Sequence, residues 1–140
     1  TPLGAITSGK ITVVDTEFGR IGLATCYDLR FPELFRKMTV DFGAEYFLVT
    51  ACWPFPRIEA WNALNQARAL ENTCYLISCN SVGVNSGIRA AGHSQIVDPW
   101  GNVIACSGYE ETIVQAEISP GEIQRIRKEF PVLQDRRLKI

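Results

Sequence analysis

Residues 19–34 read "GRIGLATCYDLRFPEL", an apolar run that stops at a cysteine and turns at once into polar residues. Residues 20–26 have the composition of a strand, and Pro32 suits the first position of a helix. The stretch therefore predicts a strand, a short polar turn and a helix, with Cys26 ending the strand. Two interpretations of this cysteine stay open. Most free cysteines are small buried hydrophobes, but a thiol at such a turn is also placed to act as a nucleophile.

The rest of the chain continues the alternation of strands and helices. Apolar runs of strand length, such as "YFLVTA" at 46–51, are typical of strands buried on both faces of a parallel sheet. Residues 119–122, "SPGE", match the pattern of a capping box with proline at the first helical position, which predicts a last helix. We expect one layered α/β domain over residues 1–140. The predicted strands are 11–14, 20–26, 46–51, the run "CYLISCNSVG" from residue 74, 94–98, 102–106 and 112–118, and the earlier helices are 32–42 and 58–73.

Composition and charge argue against several classes of partner. The 140 residues carry 14 basic and 15 acidic side chains, a net charge of −1, which gives no electrostatic case for binding nucleic acid or an anionic membrane. No apolar run approaches the roughly 18 residues of a membrane span. The five cysteines are odd in number and irregular in spacing, so they predict no disulfide framework and favour a reducing, cytoplasmic compartment.

Cys26 is the leading candidate for chemistry. A thiol is mostly protonated at neutral pH, so a catalytic cysteine needs a base, a cation or a helix N-terminus beside it. The helix predicted from Pro32 begins shortly afterwards, and its dipole would favour the thiolate if it pointed that way. Asp28 and Arg30 are expected to hold the turn by an ion pair or by backbone hydrogen bonds. His93, the one histidine, offers either a Cys26–His93 dyad or a loop histidine held by backbone groups.

The other cysteines and the polar helix residues are interpreted structurally. Cys74 and Cys79 lie five apart in one predicted strand, so they point to opposite faces and cannot share a metal ion. Arg68 precedes Glu71 by three helical positions, which predicts an ion pair on a solvated face, with an interface or a pocket wall as the alternatives. Two cysteines sit in apolar segments and are expected in the core: Cys52 and Cys106.

Several stretches resemble the nitrilase superfamily of carbon–nitrogen hydrolases, in order along nearly the whole chain. They are "FGRIGLATCYDLRFPEL", "GAEYFLVTACWP", "W…ARALEN…Y", "CN…G" and "GHSQIVDPWGNVIA". The first contains the nucleophile motif, which is highly specific. Within the superfamily, "CYDLRFPEL" together with "WPFPR" is most similar to the omega-amidase branch, whose members hydrolyse small ω-amides of 2-oxo acids.

The resemblance implies a four-layer α-β-β-α sandwich and a Glu–Lys–Cys triad. Cys26 matches the cysteine, which would attack an amide carbon, release ammonia and form a thioester that water hydrolyses. A glutamate would act as the base, a lysine would stabilise the intermediate, and the backbone N–H of Tyr27 would contribute to the oxyanion hole. The family uses no metal and no organic cofactor, and its carboxylate base displaces the dyad with His93.

This chain departs from the family in the partners of Cys26. In the family, the glutamate and the lysine both lie N-terminal to the cysteine. The only such residues here are Glu17 and Lys10, and neither sits in the family's motif context. We therefore expect the chain to be the C-terminal half of a nitrilase-type sandwich, inactive alone. The competing interpretation is a catalytically silent module that keeps the fold for assembly or binding.

Substrate contacts and a dimer complete the expectations. Trp53 and Arg57 follow the "YFLVTA" strand, beyond the carboxyl end where α/β sheets place ligands. Arg57 either pairs with a substrate carboxylate or caps the proline-rich loop at the surface. The resemblance also implies a homodimer through helices 32–42 and 58–73, with the tail after Phe130 reaching the partner.

Overall fold

The computed structural model describes residues 10–139 and has a six-stranded mixed sheet with helices packed on it. The strands are β1 (Val13–Thr16), β2 (Gly19–Thr25), β3 (Tyr46–Ala51), β4 (Tyr75–Asn80), β5 (Val84–Asn85), β6 (Ile88–Arg89), β7 (Gln95–Val97) and β8 (Val103–Cys106). The helices are α1 (Pro32–Val40), α2 (Ile58–Asn72) and α3 (Pro120–Glu129), with short 3₁₀ helices at Cys26–Arg30 and Phe55–Arg57.

The sheet order is β1-β2-β3-β4-β7-β8, and β5 pairs with β6 in a separate hairpin. Strands β2, β3 and β4 run parallel at the centre. Strand β1 is antiparallel to β2, β7 to β4 and β8 to β7. Because the three central strands are parallel, their carboxyl ends meet at one edge, which we call the carboxyl edge. The predicted α/β class is confirmed.

Helices α1 and α2 form where the sequence predicts them. Pro32 opens α1 after Phe31, which is extended, as expected for a residue before proline. Helix α2 ends at Thr73, whose φ of +47° lies in the left-handed region and whose N–H reaches the carbonyls of Ala69 and Leu70. Within residues 10–139, no helix combines the length and the apolar content needed to cross a bilayer.

The main core lies between the sheet and helices α1 and α2. Phe35 of α1 and Phe47 of β3 are fully buried, with ring centroids 5.0 Å apart in an edge-on arrangement. A Cβ atom at Gly22 would lie 2.7 Å from the sulfur of Met38, so the absence of a side chain there lets α1 approach β2 closely. Trp61 anchors α2 in the same cluster.

The opposite sheet face is only partly covered by the described residues. Leu23, Leu48 and Ile77 lie side by side in register across β2, β3 and β4 on this face. Leu23 is 37% exposed, and the other two are half-buried. Helix α3 covers only one end of this face, where Ile123 packs against Tyr46. A cavity of about 220 Å³ opens there, lined by Phe18, Ile21, Tyr46, Leu48, Ile77, Ile118 and Pro120. We call this surface the open sheet face.

The predicted strand at 112–118 is wrong. These residues have no regular secondary structure, and Ile113 is 83% exposed. A strand needs a neighbouring strand to form hydrogen bonds with its backbone N–H and C=O groups. An alternating apolar pattern does not show whether such a neighbour is present. The first strand is shifted by two residues, to Val13–Thr16 instead of 11–14, and Cys26 lies just outside β2.

Candidate active site

Cys26 is the first residue of the 3₁₀ helix that follows β2, at the carboxyl edge of the sheet. Its φ is +45°, in the left-handed region that costs a residue other than glycine roughly 1 kcal/mol. Asp28, 1% exposed, holds this turn, because its Oδ2 accepts a hydrogen bond from the N–H of Thr25 at 2.9 Å. The prediction that Asp28 fixes the turn through a backbone hydrogen bond is confirmed. The thiol is half-buried.

The amide of Tyr27 follows the thiol directly. Tyr27 is the second residue of the 3₁₀ helix, and the first amides of a helix have no partner inside it. Its side chain is 45% exposed and meets the ring of Phe31 edge-on at 5.2 Å. This arrangement puts a thiol sulfur and a backbone N–H on consecutive residues at a strand-to-helix turn, which is the arrangement that acyl transfer by a cysteine would need.

A cavity of about 510 Å³ opens at the same edge, beyond the ends of β3 and β4. Arg57 carries the only charge among the described residues of its wall, and the β5–β6 hairpin supplies one side. Cys26 is not part of the wall. The lining residues are Cys52, Pro54, Arg57, Ser81, Val82, Gly83, Asn85, Ser86, Ile88 and Ala90.

Aromatic rings hold the hairpin in place. The guanidinium of Arg89 lies 4.1 Å from the ring centroid of Tyr109 and 4.9 Å from that of Phe55. The two rings meet edge-on at 5.6 Å. Cation–π contacts of this kind are worth about 0.5–1 kcal/mol each at exposed sites, so they favour one position of the hairpin over the cavity.

The structure separates the two predicted contact residues. Arg57 is exposed and lines the cavity. Trp53 is 3% exposed and lies behind the wall, where its indole N–H donates to the carbonyl of Arg57 at 2.7 Å. The ring of Trp53 also lies 4.9 Å from the guanidinium of Arg30, the last residue of the 3₁₀ helix that begins at Cys26. Trp53 therefore contacts both the 3₁₀ helix that begins at Cys26 and Arg57 of the cavity wall from the interior.

His93 is a loop histidine held by backbone groups, which confirms the second of its two interpretations. Its Nδ1 lies 2.9 Å from the carbonyl oxygen of Ala91, and its ring meets Tyr109 edge-on at 4.8 Å. Its φ is +54°, and its carbonyl accepts hydrogen bonds from the indole of Trp61 and the amide of Gln95. These contacts fix the loop that leads into β7.

The expectation that Cys52 and Cys106 lie in the core is wrong, because both are exposed. Cys52 follows the last residue of β3, and Cys106 is the last residue of the edge strand β8. Each cysteine therefore lies where an apolar segment leaves the core and reaches the surface. Cys79 is exposed as well. Cys74 is fully buried, and loss of hydration raises the pKa of its thiol to about 11, so it is the least reactive of the described thiols.

Three polar residues of α2 are buried, which corrects the expected solvated face. Arg68 is 5% exposed, donates from Nε to the carbonyl of Leu29 at 3.0 Å, and pairs with Glu71 at 3.0 Å as predicted. Asn65 and Asn72 are fully buried on the same side. A charged side chain is normally expected to be exposed to solvent. Here the helical spacing of these positions from Trp61, which is buried, was the signal that they are buried too.

The two upstream residues lie at different ends of β2. Glu17 sits in the turn before Gly19, so the seven residues of β2 separate it from Cys26 by roughly 20 Å. Lys10 is near the carboxyl edge, since β1 is antiparallel to β2 and the pairing continues to the carbonyl of Thr12. Within residues 10–139, no three His, Cys, Asp or Glu side chains come together as a metal site.

The sequence profile of the carbon–nitrogen hydrolase family matches residues 3–128. The chain belongs to this family. It is 48% identical over 110 residues to the 2-oxoglutaramate amidase of Bacillus subtilis (strain 168), and the match covers 79% of this chain and 42% of the relative.

Solved structures agree with this family assignment. Nit3 of Saccharomyces cerevisiae, a member of branch 10 of the nitrilase superfamily, superposes with a TM-score of 0.83 at 34% identity, over 92% of this chain and 48% of Nit3. A mutant amidase of Nesterenkonia sp. AN1, with the acetamide moiety of fluoroacetamide on its active site cysteine, gives 0.77 at 28% identity, over 91% and 45%. This chain thus spans less than half the length of each of these two proteins.

Proposed function

We propose that the full-length protein hydrolyses the C–N bond of a small amide, with Cys26 as the nucleophile. The observation that carries the proposal is the turn itself, where a half-buried thiol is followed directly by the first-turn helical amide of Tyr27 at the carboxyl edge of the sheet. The family assignment supports it, as does the covalent adduct on the active site cysteine of the Nesterenkonia amidase.

The reaction passes through a thioester. The Cys26 sulfur attacks the amide carbon, and the Tyr27 N–H donates to the oxyanion that forms. The C–N bond breaks as the nitrogen takes a proton and leaves as ammonia. Water then attacks the thioester carbon, which frees the acid and restores the thiol. The base and the cation of this cycle are the family's glutamate and lysine, which we place in a part of the protein that precedes this chain.

The substrate class is an ω-amide that carries a carboxylate at its other end. Arg57 is the charged residue of the cavity wall, and a guanidinium binds a carboxylate through two parallel hydrogen bonds. The name of the Bacillus relative, a 2-oxoglutaramate amidase, points to the same class. Trp53 acts indirectly here, since its indole bond to the Arg57 carbonyl sets the backbone position of that residue.

An ammonia-release screen of the full-length protein tests this function. The panel holds small amides with and without a distal carboxylate, nitriles and N-carbamoyl compounds. We expect the highest kcat/KM for the carboxylate-bearing amides. Preference for nitriles or carbamoyl compounds contradicts the amidase assignment, and no release from any class supports the catalytically silent module.

Arg57→Lys is expected to raise KM for carboxylate-bearing amides about tenfold, because lysine keeps the charge but loses the paired hydrogen bonds. The backbone bond from Trp53 to the Arg57 carbonyl is unaffected by the change. Neutral amides should keep their KM within twofold. Arg125→Lys on α3, exposed and paired with glutamates, is the matched control. Equal effects on acidic and neutral amides contradict the role of Arg57.

We also propose that the protein forms a homodimer through helices 32–42 and 58–73, and that it is cytoplasmic. All five cysteines are free, as in proteins of reducing compartments. Val40 at the end of α1, Phe42 in the turn that follows and Leu70 on α2 are 42–48% exposed, which suits an isologous contact. Phe130, where the tail begins, packs beside Trp100 at 5.7 Å.

The dimer is expected to weaken when Leu70, 48% exposed, is changed to lysine. Light scattering at micromolar concentration should give a dimer for the full-length protein and a growing monomer fraction for Leu70→Lys, because a charge must then be desolvated at the contact. Ile113→Lys, at an 83% exposed position away from both helices, should remain dimeric. A monomeric parent protein contradicts the proposal.

A further inference from the structure

Asn80 joins three segments at the carboxyl edge. It is the last residue of β4 and is 7% exposed. Its Oδ1 accepts from the N–H of Trp53 at 2.7 Å, and its Nδ2 donates to the carbonyls of Trp53 at 3.3 Å and Gly92 at 2.9 Å. Its own N–H donates to Oγ of Ser94 at 2.9 Å. One buried amide thus ties the loop after β3 and the loop before β7 to the end of β4.

The residues bonded to Asn80 make further contacts with the cavity wall and with the 3₁₀ helix that begins at Cys26. The carbonyl of Trp53 also accepts from Ala91 N–H at 2.8 Å, so both loops share one acceptor. The indole of Trp53 fixes Arg57, and its ring lies beside the guanidinium of Arg30. In the sheet register Asn80 pairs with Ala51, which neighbours the end of β2, so its Cα lies roughly 10 Å from that of Cys26.

We propose that Asn80 is a positioning residue that sets the relative placement of Cys26, Arg57 and the loop from Ala90 to Ser94. The inference rests on the proposed amide hydrolysis for its kinetic consequences. Only an amide side chain fits the contacts, because the site needs one acceptor for an N–H and two donors for two carbonyls. Aspartate has the same shape, but its carboxylate has no donor and would face two carbonyl oxygens in a buried site.

Asn80→Asp in the full-length protein tests the proposal. We expect kcat/KM for the preferred amide to fall about a hundredfold in protein that circular dichroism shows to be folded, since misplacement by about 1 Å costs that much. Burial raises the pKa of the new carboxyl, and its neutral form regains one donor. Activity relative to wild type should therefore recover as pH falls through that pKa, and decline as pH rises.

Asn72→Asp is the matched control. Asn72 is fully buried, and its Nδ2 donates only to the carbonyl of Arg68, one helical turn back and far from the carboxyl edge. This variant loses one buried amide donor bond, where Asn80→Asp loses two, and we expect its kcat/KM to stay within twofold of wild type. A fall in melting temperature in both variants with kcat/KM unchanged in both overturns the positioning role.

Amide hydrogen exchange gives a readout that needs no substrate. In Asn80→Asp, exchange should accelerate at residues 52–57 and 90–94 beyond any change in Asn72→Asp, because these loops lose their shared anchor. If wild-type protein releases no ammonia from any compound, the proposed function fails, and this local acceleration alone then supports the anchor. Equal exchange rates at these residues in the two variants overturn the positioning role of Asn80, whether or not a substrate is found.

Discussion

We expect Cys26→Ala in the full-length protein to lower ammonia release by roughly a millionfold while the protein stays folded. Removing the nucleophile from a catalytic unit costs about this factor, because the other members cannot act without it. The side chain is half-buried and alanine tolerates the same backbone, so the melting temperature should change by only a few degrees. A coupled ammonia assay and thermal melting followed by circular dichroism measure both effects.

Two further variants make this result specific. Cys106→Ala removes an exposed thiol on the edge strand β8 and should keep full activity. His93→Ala should retain most activity, because the His93 ring contacts the Ala91 carbonyl and the Tyr109 ring. A thousandfold loss in folded His93→Ala protein, or residual turnover in Cys26→Ala, contradicts the assignment of the nucleophile.

The 140-residue chain alone is expected to release no ammonia and to self-associate. Its upstream glutamate, Glu17, lies roughly 20 Å from Cys26 along β2, so this carboxylate does not reach the thiol. The open sheet face presents Leu23, Leu48 and Ile77 in one row, and exposed apolar surface of this kind drives association.

Adding the proposed N-terminal half of the full-length protein, produced separately, should suppress this association and restore ammonia release. Light scattering and the ammonia assay on the mixed and unmixed chains measure the two effects. Robust turnover by the isolated chain contradicts the prediction and directs attention to Lys10, which lies near the carboxyl edge. A Lys10→Met variant of the isolated chain then decides whether this residue supplies the cation.

The sequence predicted the parts of the fold that local patterns determine. Strand β3 was predicted at its observed bounds, and β2 and helix α2 to within one residue, because apolar runs and helical spacing report which side of an element is buried. The segment 112–118 failed because its alternating pattern resembles a strand, and pairing depends on a neighbour that the pattern does not contain. Cys52 and Cys106 failed because each apolar run ends at the surface.

The candidate site was predictable only where the motif lies in one stretch. Cys26, Tyr27 and Asp28 are adjacent, so their turn could be recognised directly. The bonds of Asn80 join residues 12 to 27 positions away, and no local pattern connects them. The burial of Trp53 was likewise invisible, because a tryptophan after a strand suits a cavity wall and a core equally well.

At Cys26 the left-handed backbone favours glycine for stability, whereas the proposed reaction needs a thiol at the same position. Glycine adopts a φ of +45° without steric cost, so it would relieve the backbone energy that cysteine stores there. Selection for stability alone would therefore favour glycine here, and the proposed role of the sulfur atom as nucleophile gives a reason for cysteine at this position.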